Sequence, residues 1–316
     1  MTVSQGELKI FSGRAHPALA QEICDYLGIE VGKLHAQNFS DGEIFCKIEE
    51  NVRGRDVFLV QPITQPVNEN LVELLILLDA LRRSSASRVT AVIPYYGYSR
   101  QDKKDQPRVA ITAKLVANLI AGAGADRILT MDLHAGQIQG YFDIPVDHLF
   151  AAPVLLDAIN DLDVPDLMIV SPDAGGVARA RAIAKRLGVS IAIVDKRRTA
   201  PNQAEVMNVI GDVDGKNLLI IDDIIDTAGT LVNTIEALSS KGCNRILAAG
   251  IHAVLSGPAL ERLQESSVES VLVTNTTPLD QKLAVCNKLK PLSVAPLLGE
   301  AIKRIHDDSS VSSLFV

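Results

Sequence analysis

The sequence has no excess of basic residues, no paired cysteines and no long uninterrupted apolar run, and each absence closes off a class of protein. Its 31 Lys and Arg are outnumbered by 38 Asp and Glu, for a formal net charge of −7. That balance argues against a nucleic-acid partner held by phosphate-backbone contacts, so any anion site must be local. Cys24, Cys46, Cys243 and Cys286 lie far apart with no CxxC pair, which speaks against a zinc ribbon, a redox motif or a disulfide framework. The greasiest helical stretch, LVELLILLDALRR, is interrupted by Glu73 and Asp79 well short of the roughly 20 residues needed to span a bilayer. The opening MTVSQGELKIFSG places Glu7 and Lys9 where a secretory peptide needs an apolar core. A soluble, cytoplasmic protein with no membrane partner is the expectation. Nucleotide-loop signatures are missing too. GDVDGKN around Lys216 fails the Walker pattern at its spacing and final residue, and GAGADR from Gly122 lacks the third glycine of a dinucleotide fingerprint.

What is present is a globular composition, 47% hydrophobic over 316 residues, enough for two cores at about 150 residues each. Short apolar runs (LKIFSG, DVFLVQP, RVTAVIP, DRILTMDLH, LMIVSP, SIAIVDK, NLLIID, RILAAGIH, SVLVTN) alternate with amphipathic segments such as HPALAQEICDYLG, ITAKLVANLIAG and VARARAIAKRLG. That order predicts an α/β fold with mainly parallel sheets flanked by helices. A glycine after several of the helical segments supplies a stop.

The two halves resemble each other. GRDVFLVQP from Gly54 aligns with GKNLLIIDD from Gly215, YLG ending at Gly28 aligns with RLG ending at Gly188, and LDALRRSSASRVTAV aligns with IEALSSKGCNRILAA, setting Arg88 against Arg245. One α/β unit is present twice. The boundary is expected near residue 150, in FDIPVDHLFAAP, giving domains of 1–149 and 150–316.

The most informative stretch is LLIIDDIIDTAGT, Leu218 to Thr230, where a greasy strand runs into three aspartates. The first copy has QPITQPVNEN at the same place, so the strand and turn do not need these acids to fold. In open α/β sheets ligands bind beyond the carboxyl ends of strands, where Asp222 and Asp223 emerge. The small residues of DTAGT let backbone N–H groups converge at a helix start, a cradle for phosphate. Carboxylates that accept from sugar hydroxyls beside a phosphate cradle describe a phosphorylated sugar.

This stretch resembles the phosphoribosyl pyrophosphate (PRPP) loop of the type I phosphoribosyltransferases and of the ribose-phosphate pyrophosphokinases. NFSDGEIFCKIEENVRGRDVF, YYGYSRQDKK, MDLHAGQIQGYFDIPVDHL, SPDAGGVARA, DKRR, EVMNVIGDVDGK and HAVLSGPA are similar to the pyrophosphokinases, and the resemblance runs from about residue 6 to the C-terminal VSSLF. It implies two tandem phosphoribosyltransferase-like domains, the first for nucleotide binding and assembly, the second for ribose 5-phosphate, with the extreme C-terminus packing back on the first.

The implied reaction moves the β,γ-diphosphoryl group of ATP to the C1 hydroxyl of ribose 5-phosphate, releasing AMP and PRPP. By the same resemblance, Asp226, Thr227, Ala228, Gly229 and Thr230 hold the 5-phosphate, and Asp222 and Asp223 hold the ribose hydroxyls. ATP falls to Phe39, Asp41 and Glu43 of FSDGE, to Arg100 and Gln101 of SRQDKK, and to His134. An aromatic face can stack on adenine, carboxylates accept hydrogen bonds, and a guanidinium forks onto phosphate. Asp173, Ala174, Gly175 and Gly176 form the pyrophosphate loop, with His134 and Asp173 at the metal positions. The expected ion is Mg2+, because a transferring diphosphoryl group needs a hard cation. Lys196 and Arg198 of DKRR are the implied catalytic pair, on a basic loop that can close over the substrates; Arg198 also contacts ribose 5-phosphate. Family assembly implies a homo-oligomer, a hexamer built from dimers, with phosphate and ADP as effectors.

Two rivals share parts of this pattern. A PRPP-consuming phosphoribosyltransferase shares DDIIDTAGT but has no reason to carry the paired first domain. A non-catalytic regulatory subunit keeps the fold but loses catalytic residues, whereas His134, Asp173, Lys196, Arg198 and Asp222 are all present.

Overall fold

The structure, a computed structural model, describes residues 6–197 and 206–315. The chain divides into two compact units, one of residues 1–150 with 276–278 and 294–316, the other of residues 151–275 with 279–293. The sequence signals the return of the C-terminal residues to the first unit only at its extreme end.

In the first unit, β1 (Leu8–Ser12) leads into α1 (Pro17–Leu27), the hairpin β2 (Leu34–Asn38) and β3 (Ile44–Ile48), then β4 (Asp56–Val60), α2 (Val67–Arg83), β5 (Arg88–Ile93), α3 (Thr112–Ala123), β6 (Arg127–Met131) and β7 (Val146–Leu149). The parallel sheet has the order β1-β4-β5-β6-β7, and the hairpin forms a separate two-stranded sheet. Every residue of β4 is buried, as a central strand covered on both faces requires. Phe11, Val57 and Leu59 of the sheet pack with Leu74, Leu77 and Leu78 of α2.

The second unit runs α4 (Ala152–Asp161), β8 (Leu167–Ser171), α5 (Val177–Leu187), β9 (Ser190–Arg197), β10 (Val206–Ile210), β11 (Asn217–Ile225), α6 (Gly229–Ser239), β12 (Arg245–Ala253), α7 (Ala259–Glu265), β13 (Ser270–Thr274), α8 (Asp280–Val285) and β14 (Leu289–Leu292). Its sheet order is β10-β9-β8-β11-β12-β13-β14. All neighbours are parallel except the β9–β10 pair. Leu218 and Ile220 of β11 meet Leu231, Ile235 and Leu238 of α6 in the core.

Removing the β9–β10 hairpin leaves β8-β11-β12-β13-β14 in register with β1-β4-β5-β6-β7, so the duplication read from sequence is a duplication of topology. The aligned glycines behave alike: Gly28 and Gly188 close α1 and α5 at φ 69° and 70°, the left-handed stop that glycine adopts without a Cβ penalty. The β2–β3 and β9–β10 hairpins occupy equivalent places, following α1 and α5, the helix after the first strand of each unit.

The last helix, α9 (Ala295–His306), belongs to the first unit and packs on α1. Gly299 is required at that crossing, because a Cβ there would lie 2.5 Å from the Tyr26 ring. Arg88 fixes the end of the helix. Its guanidinium donates to both Asp56 carboxylate oxygens at 2.8 and 2.6 Å and to the Ile305 carbonyl at 3.0 Å, while His306 Nδ1 lies 2.8 Å from Asp56 Oδ2.

Candidate active site

In the second unit the chemistry gathers at the carboxyl ends of β8 and β11, which are hydrogen-bonded neighbours. Asp173 sits in the turn from β8 to α5. The Ser171 hydroxyl donates to its carbonyl at 2.7 Å, and its own Oδ1 accepts from the Gly176 amide at 2.8 Å. The turn is tight: a Cβ on Gly176 would come within 2.9 Å of Ser171 Oγ. Ala174 and Gly175 form its exposed crest.

Asp222 and Asp223 end the apolar run of β11, where Asp222 is half-buried and its carboxyl interacts with that of Asp223. Asp223 is buried and lies 3.6 Å from Arg179 Nη1 on α5. Asp222 Oδ1 accepts from the Asp223 amide at 2.9 Å. Burial and then the adjoining Asp223 and Asp173 push the Asp222 carboxyl up to about 7. Such a cluster holds more negative charge than it can comfortably ionise, which is the demand a hard cation satisfies.

The loop that follows is held from outside. Asp226 Oδ1 accepts from the Ser256 hydroxyl, and Ser256 N donates to the Asp226 carbonyl at 3.1 Å. Arg262 Nη1, on α7, donates to the Thr227 carbonyl at 2.9 Å. Ala228, at φ 57°, turns the chain into α6, whose first residues are Gly229 and Thr230. The Thr230 carbonyl is engaged by the Thr234 hydroxyl at 2.8 Å. Further support comes from Lys282, which donates to the Ala253 carbonyl at 2.7 Å just before the Ser256 segment; burial lowers its ammonium to about 8.

In the first unit, Phe39, Asp41 and Glu43 lie at the exposed tip of the β2–β3 hairpin. A turn closes through Gly42 N to the Phe39 carbonyl at 2.9 Å, and Asp41 Oδ1 accepts from the Glu43 amide at 3.1 Å. Gly42 at φ 95° suits a hairpin loop whose last residue is left-handed. Phe39 keeps half of its surface exposed, with Phe45 tilted against it at 5.9 Å. Arg100 and Gln101 are exposed in the loop before α3, where Gln101 Oε1 accepts from the Thr112 hydroxyl at 2.6 Å. His134 is exposed just beyond β6. The turn leading to it is rigid: Asp132 is buried at φ 37°, and the Leu133 amide donates to His148 Nε2 at 2.8 Å.

The structure thus brings Asp173, Asp222, Asp223 and the 226–230 loop to one edge of the second sheet. Phe39, Asp41, Glu43, Arg100, Gln101 and His134 are described within the first unit. The backbone of Lys196 lies in β9, paired with Met207, and Arg198 lies outside the described residues. Sequence reading missed Arg179, Ser256 and Arg262. Ser256 lies in HAVLSGPA and Arg262 four residues after its Pro258, but their contacts with the loop depend on how β12 and α7 pack. A cavity of about 410 Å³, lined by Asp163, Asp166, Gly188 and Lys216, opens at the opposite edge of the sheet and contains none of the candidate residues.

Among the described residues, no three His, Cys, Asp or Glu converge into a cation cage. The arrangement instead fits a cation bound through one or two carboxylates together with substrate phosphates, which is how Mg2+ is commonly held.

Comparison with known proteins accounts for both units. Residues 8–124 match the model of the N-terminal domain of ribose phosphate pyrophosphokinase, and residues 196–316 match the phosphoribosyl synthetase-associated domain. Ribose-phosphate pyrophosphokinase 1, chloroplastic, of Arabidopsis thaliana is 57% identical, the match covering 98% of this chain and 77% of that one. The ribose-phosphate pyrophosphokinase of Wolinella succinogenes is 54% identical, over 98% of this chain and 99% of its own. The crystal structure of phosphoribosylpyrophosphate synthetase from Mycobacterium smegmatis superposes with a TM-score of 0.90 at 43% identity, covering 96% of this chain and all of that one. Identity above one half across nearly the whole length, with a family model matched in each half, shows that this chain belongs to the ribose-phosphate pyrophosphokinase family.

Proposed function

We propose that the chain transfers the β,γ-diphosphoryl group of ATP to the C1 hydroxyl of ribose 5-phosphate, with the labour divided between its two units. The observation that carries this reading is the crowding of Asp222, Asp223 and Asp173 beside the 226–230 loop, a pairing of acid and phosphate cradle on one sheet edge. The backbone N–H groups of Asp226 to Thr230 take the 5-phosphate, favoured by the start of α6. Asp222 and Asp223 accept from the ribose hydroxyls and set the sugar with C1 towards the donor. Asp173 to Gly176 receive the diphosphoryl group. Lys196 and Arg198 stabilise the charge on the transferring phosphorus, an electrostatic role that needs no protein general base. In the first unit, Phe39 stacks on adenine, Asp41 and Glu43 accept from its polar groups, and Arg100, Gln101 and His134 engage the nucleotide and its phosphates.

The reaction calls for a divalent cation, and we assign it to Mg2+, held by Asp173 and His134 together with substrate phosphates. Its chemistry is to neutralise charge on the diphosphoryl group and bind its oxygens. His134 is an unusual partner for so hard an ion and is suited to act through water or on phosphate.

Residues 1–149 are read as the nucleotide and assembly domain and 150–316 as the sugar-phosphate domain. Assembly into a hexamer built from dimers is supported by Ile111, just before α3, and Leu115 and Leu119 on it, which expose 37%, 52% and 43% of their surface. Phosphate and ADP are read as effectors of that assembly. No helix among the described residues is long and apolar enough to cross a membrane, and we place the activity in the cytoplasm.

Phosphorus NMR of the purified protein with Mg2+, ATP and ribose 5-phosphate tests the reading. AMP and a C1-diphosphate resonance should grow together. If neither grows in a folded sample with phosphate present, a PRPP-consuming or regulatory role replaces this one.

A further inference from the structure

The loop of residues 226–230 has a feature that its own sequence does not explain: Ala228 carries a side chain yet sits at φ 57°. A non-glycine residue pays for that conformation sterically, because its Cβ crowds the backbone. Rotating the peptide between Thr227 and Ala228 by half a turn would return Ala228 to negative φ at its ψ of 5°, in the bridge region that an L residue can enter. Something must therefore hold the peptide as it is.

Arg262 supplies the hold. Its Nη1 donates to the Thr227 carbonyl at 2.9 Å, from the exposed face of α7. The Thr227–Ala228 peptide is trans, so its carbonyl and N–H point in opposite directions. Drawing the carbonyl towards α7 turns the Ala228 N–H away from α7. The bond to a guanidinium is charge-assisted and stronger than one to a neutral donor. Asp226 is fixed independently by Ser256, which leaves this one peptide as the part of the loop that Arg262 controls.

We propose that Arg262 is a positioning residue for ribose 5-phosphate: by anchoring the Thr227 carbonyl it keeps the Ala228 N–H, and not the carbonyl, facing the bound phosphate. A flipped peptide would present a carbonyl oxygen to a phosphate dianion. The inference rests on reading the 226–230 loop as the ribose 5-phosphate site. Arg262 touches no reacting atom in this scheme and acts only through the peptide.

The test separates this from a direct ionic contact and from failure of the underlying reading. Initial rates of AMP formation are measured for wild type, Arg262→Ala, Ala228→Gly and the double variant, with the KM for each substrate and a thermal melt for each protein. Arg262 is exposed, so Arg262→Ala is expected to melt like wild type while its KM for ribose 5-phosphate rises about tenfold and that for ATP stays within about twofold. Glycine adopts positive φ as readily as negative, so adding Ala228→Gly removes the bias towards the flipped peptide. The double variant should recover a large part of the lost affinity. An unchanged KM in Arg262→Ala overturns the proposal. A raised KM that glycine does not lower also overturns it, because the guanidinium would then be acting on the phosphate directly. Calorimetric titration of wild type with ribose 5-phosphate decides the remaining case: no binding there would sink the loop reading itself, and the proposal with it.

Discussion

The two sheets of this protein reach the same edge with the same strand order and finish it in opposite ways. In the second unit, Asp222 and Asp223 lie near the carboxyl end of β11 and Asp173 lies two residues beyond β8. In the first, the aligned positions after β4 hold Gln61 and Pro62, and Arg14 lies two residues beyond β1. Aligning the helices that follow sets Glu73 against Thr230, in the heart of the phosphate loop. Glu73 is fully buried, and its carboxylate accepts from the Arg14 amide at 2.6 Å, from Arg14 Nε and from Gln61 Nε2 at 3.2 Å. The loop counterpart has been wound into α2, which begins five residues earlier than α6 in the alignment. The first unit thus carries its own anion and its own cation. Its edge is complete as protein, while the edge of the second gathers Asp173, Asp222 and Asp223 around the ion pair of Arg179 with Asp223, leaving like charges that a ligand or cation would relieve.

The largest effect should come from giving the second edge the residue of the first. Asp222→Gln keeps a hydrogen-bond acceptor but removes the charge, and kcat/KM for diphosphoryl transfer should fall by about two orders of magnitude or more. A loss smaller than about threefold in AMP formation would mean that the carboxylates do not distinguish the two edges. The reciprocal damage to the first edge should appear as stability. Glu73→Ala removes the buried carboxylate of the Arg14 pair, leaving the guanidinium with Glu69 at 3.6 Å, and should cost about 3 kcal/mol, read as a lower urea midpoint for the first unit. A shift below about 1 kcal/mol would show that Glu69 and water suffice for Arg14.

The pH dependence of the second edge has a fixed sign. The Asp222 carboxyl is raised in the fold from 3.8 to about 7, so between those values the native state holds a proton that the unfolded chain has released. Stability without ligands therefore falls as pH rises from about 4 to about 7. Asp222→Asn removes that dependence and should melt a few degrees above wild type at pH 8, with the gap closing towards pH 4. An equal gap at both ends would assign the effect to packing rather than to ionisation.

Most of the architecture was legible because buried parallel strands and glycine-stopped helices leave local marks. The sequence reading left out β2, β3, β7, β10 and β14, whose runs are short, half-exposed or paired with a neighbouring strand. It also left out α4, α7, α8 and α9. The candidate acids were visible because three aspartates after a greasy strand have no structural excuse. Arg179, Ser256 and Arg262 were not, since a polar residue on an amphipathic helix or in a turn looks solvated until its neighbour across the fold is known. Glu73 shows the converse: in sequence it interrupts an apolar stretch, while in the fold it is the buried centre of an ionic network.

The smallest expected effect lies at the other end of the two sheets, where Arg88 and Arg245 begin β5 and β12 as aligned residues. Both make paired hydrogen bonds to a carboxylate, Arg88 to Asp56 and Arg245 to Glu269. The surroundings differ. Asp56 is buried and shared with His306, and Arg88 also holds the Ile305 carbonyl of α9, whereas Arg245 and Glu269 stand in solvent. Arg88→Ala strands a buried carboxylate and releases the end of α9, at a cost of about 2 kcal/mol. Arg245→Ala removes an ion pair that water and salt already screen, so its melting temperature should match that of wild type. Equal losses from the two substitutions, measured in the same thermal melts, would mean that geometry alone sets the strength of these pairs. A loss confined to Arg88 would show that the first unit depends on the bridge to its returning helix in a way that the second, which has none there, does not.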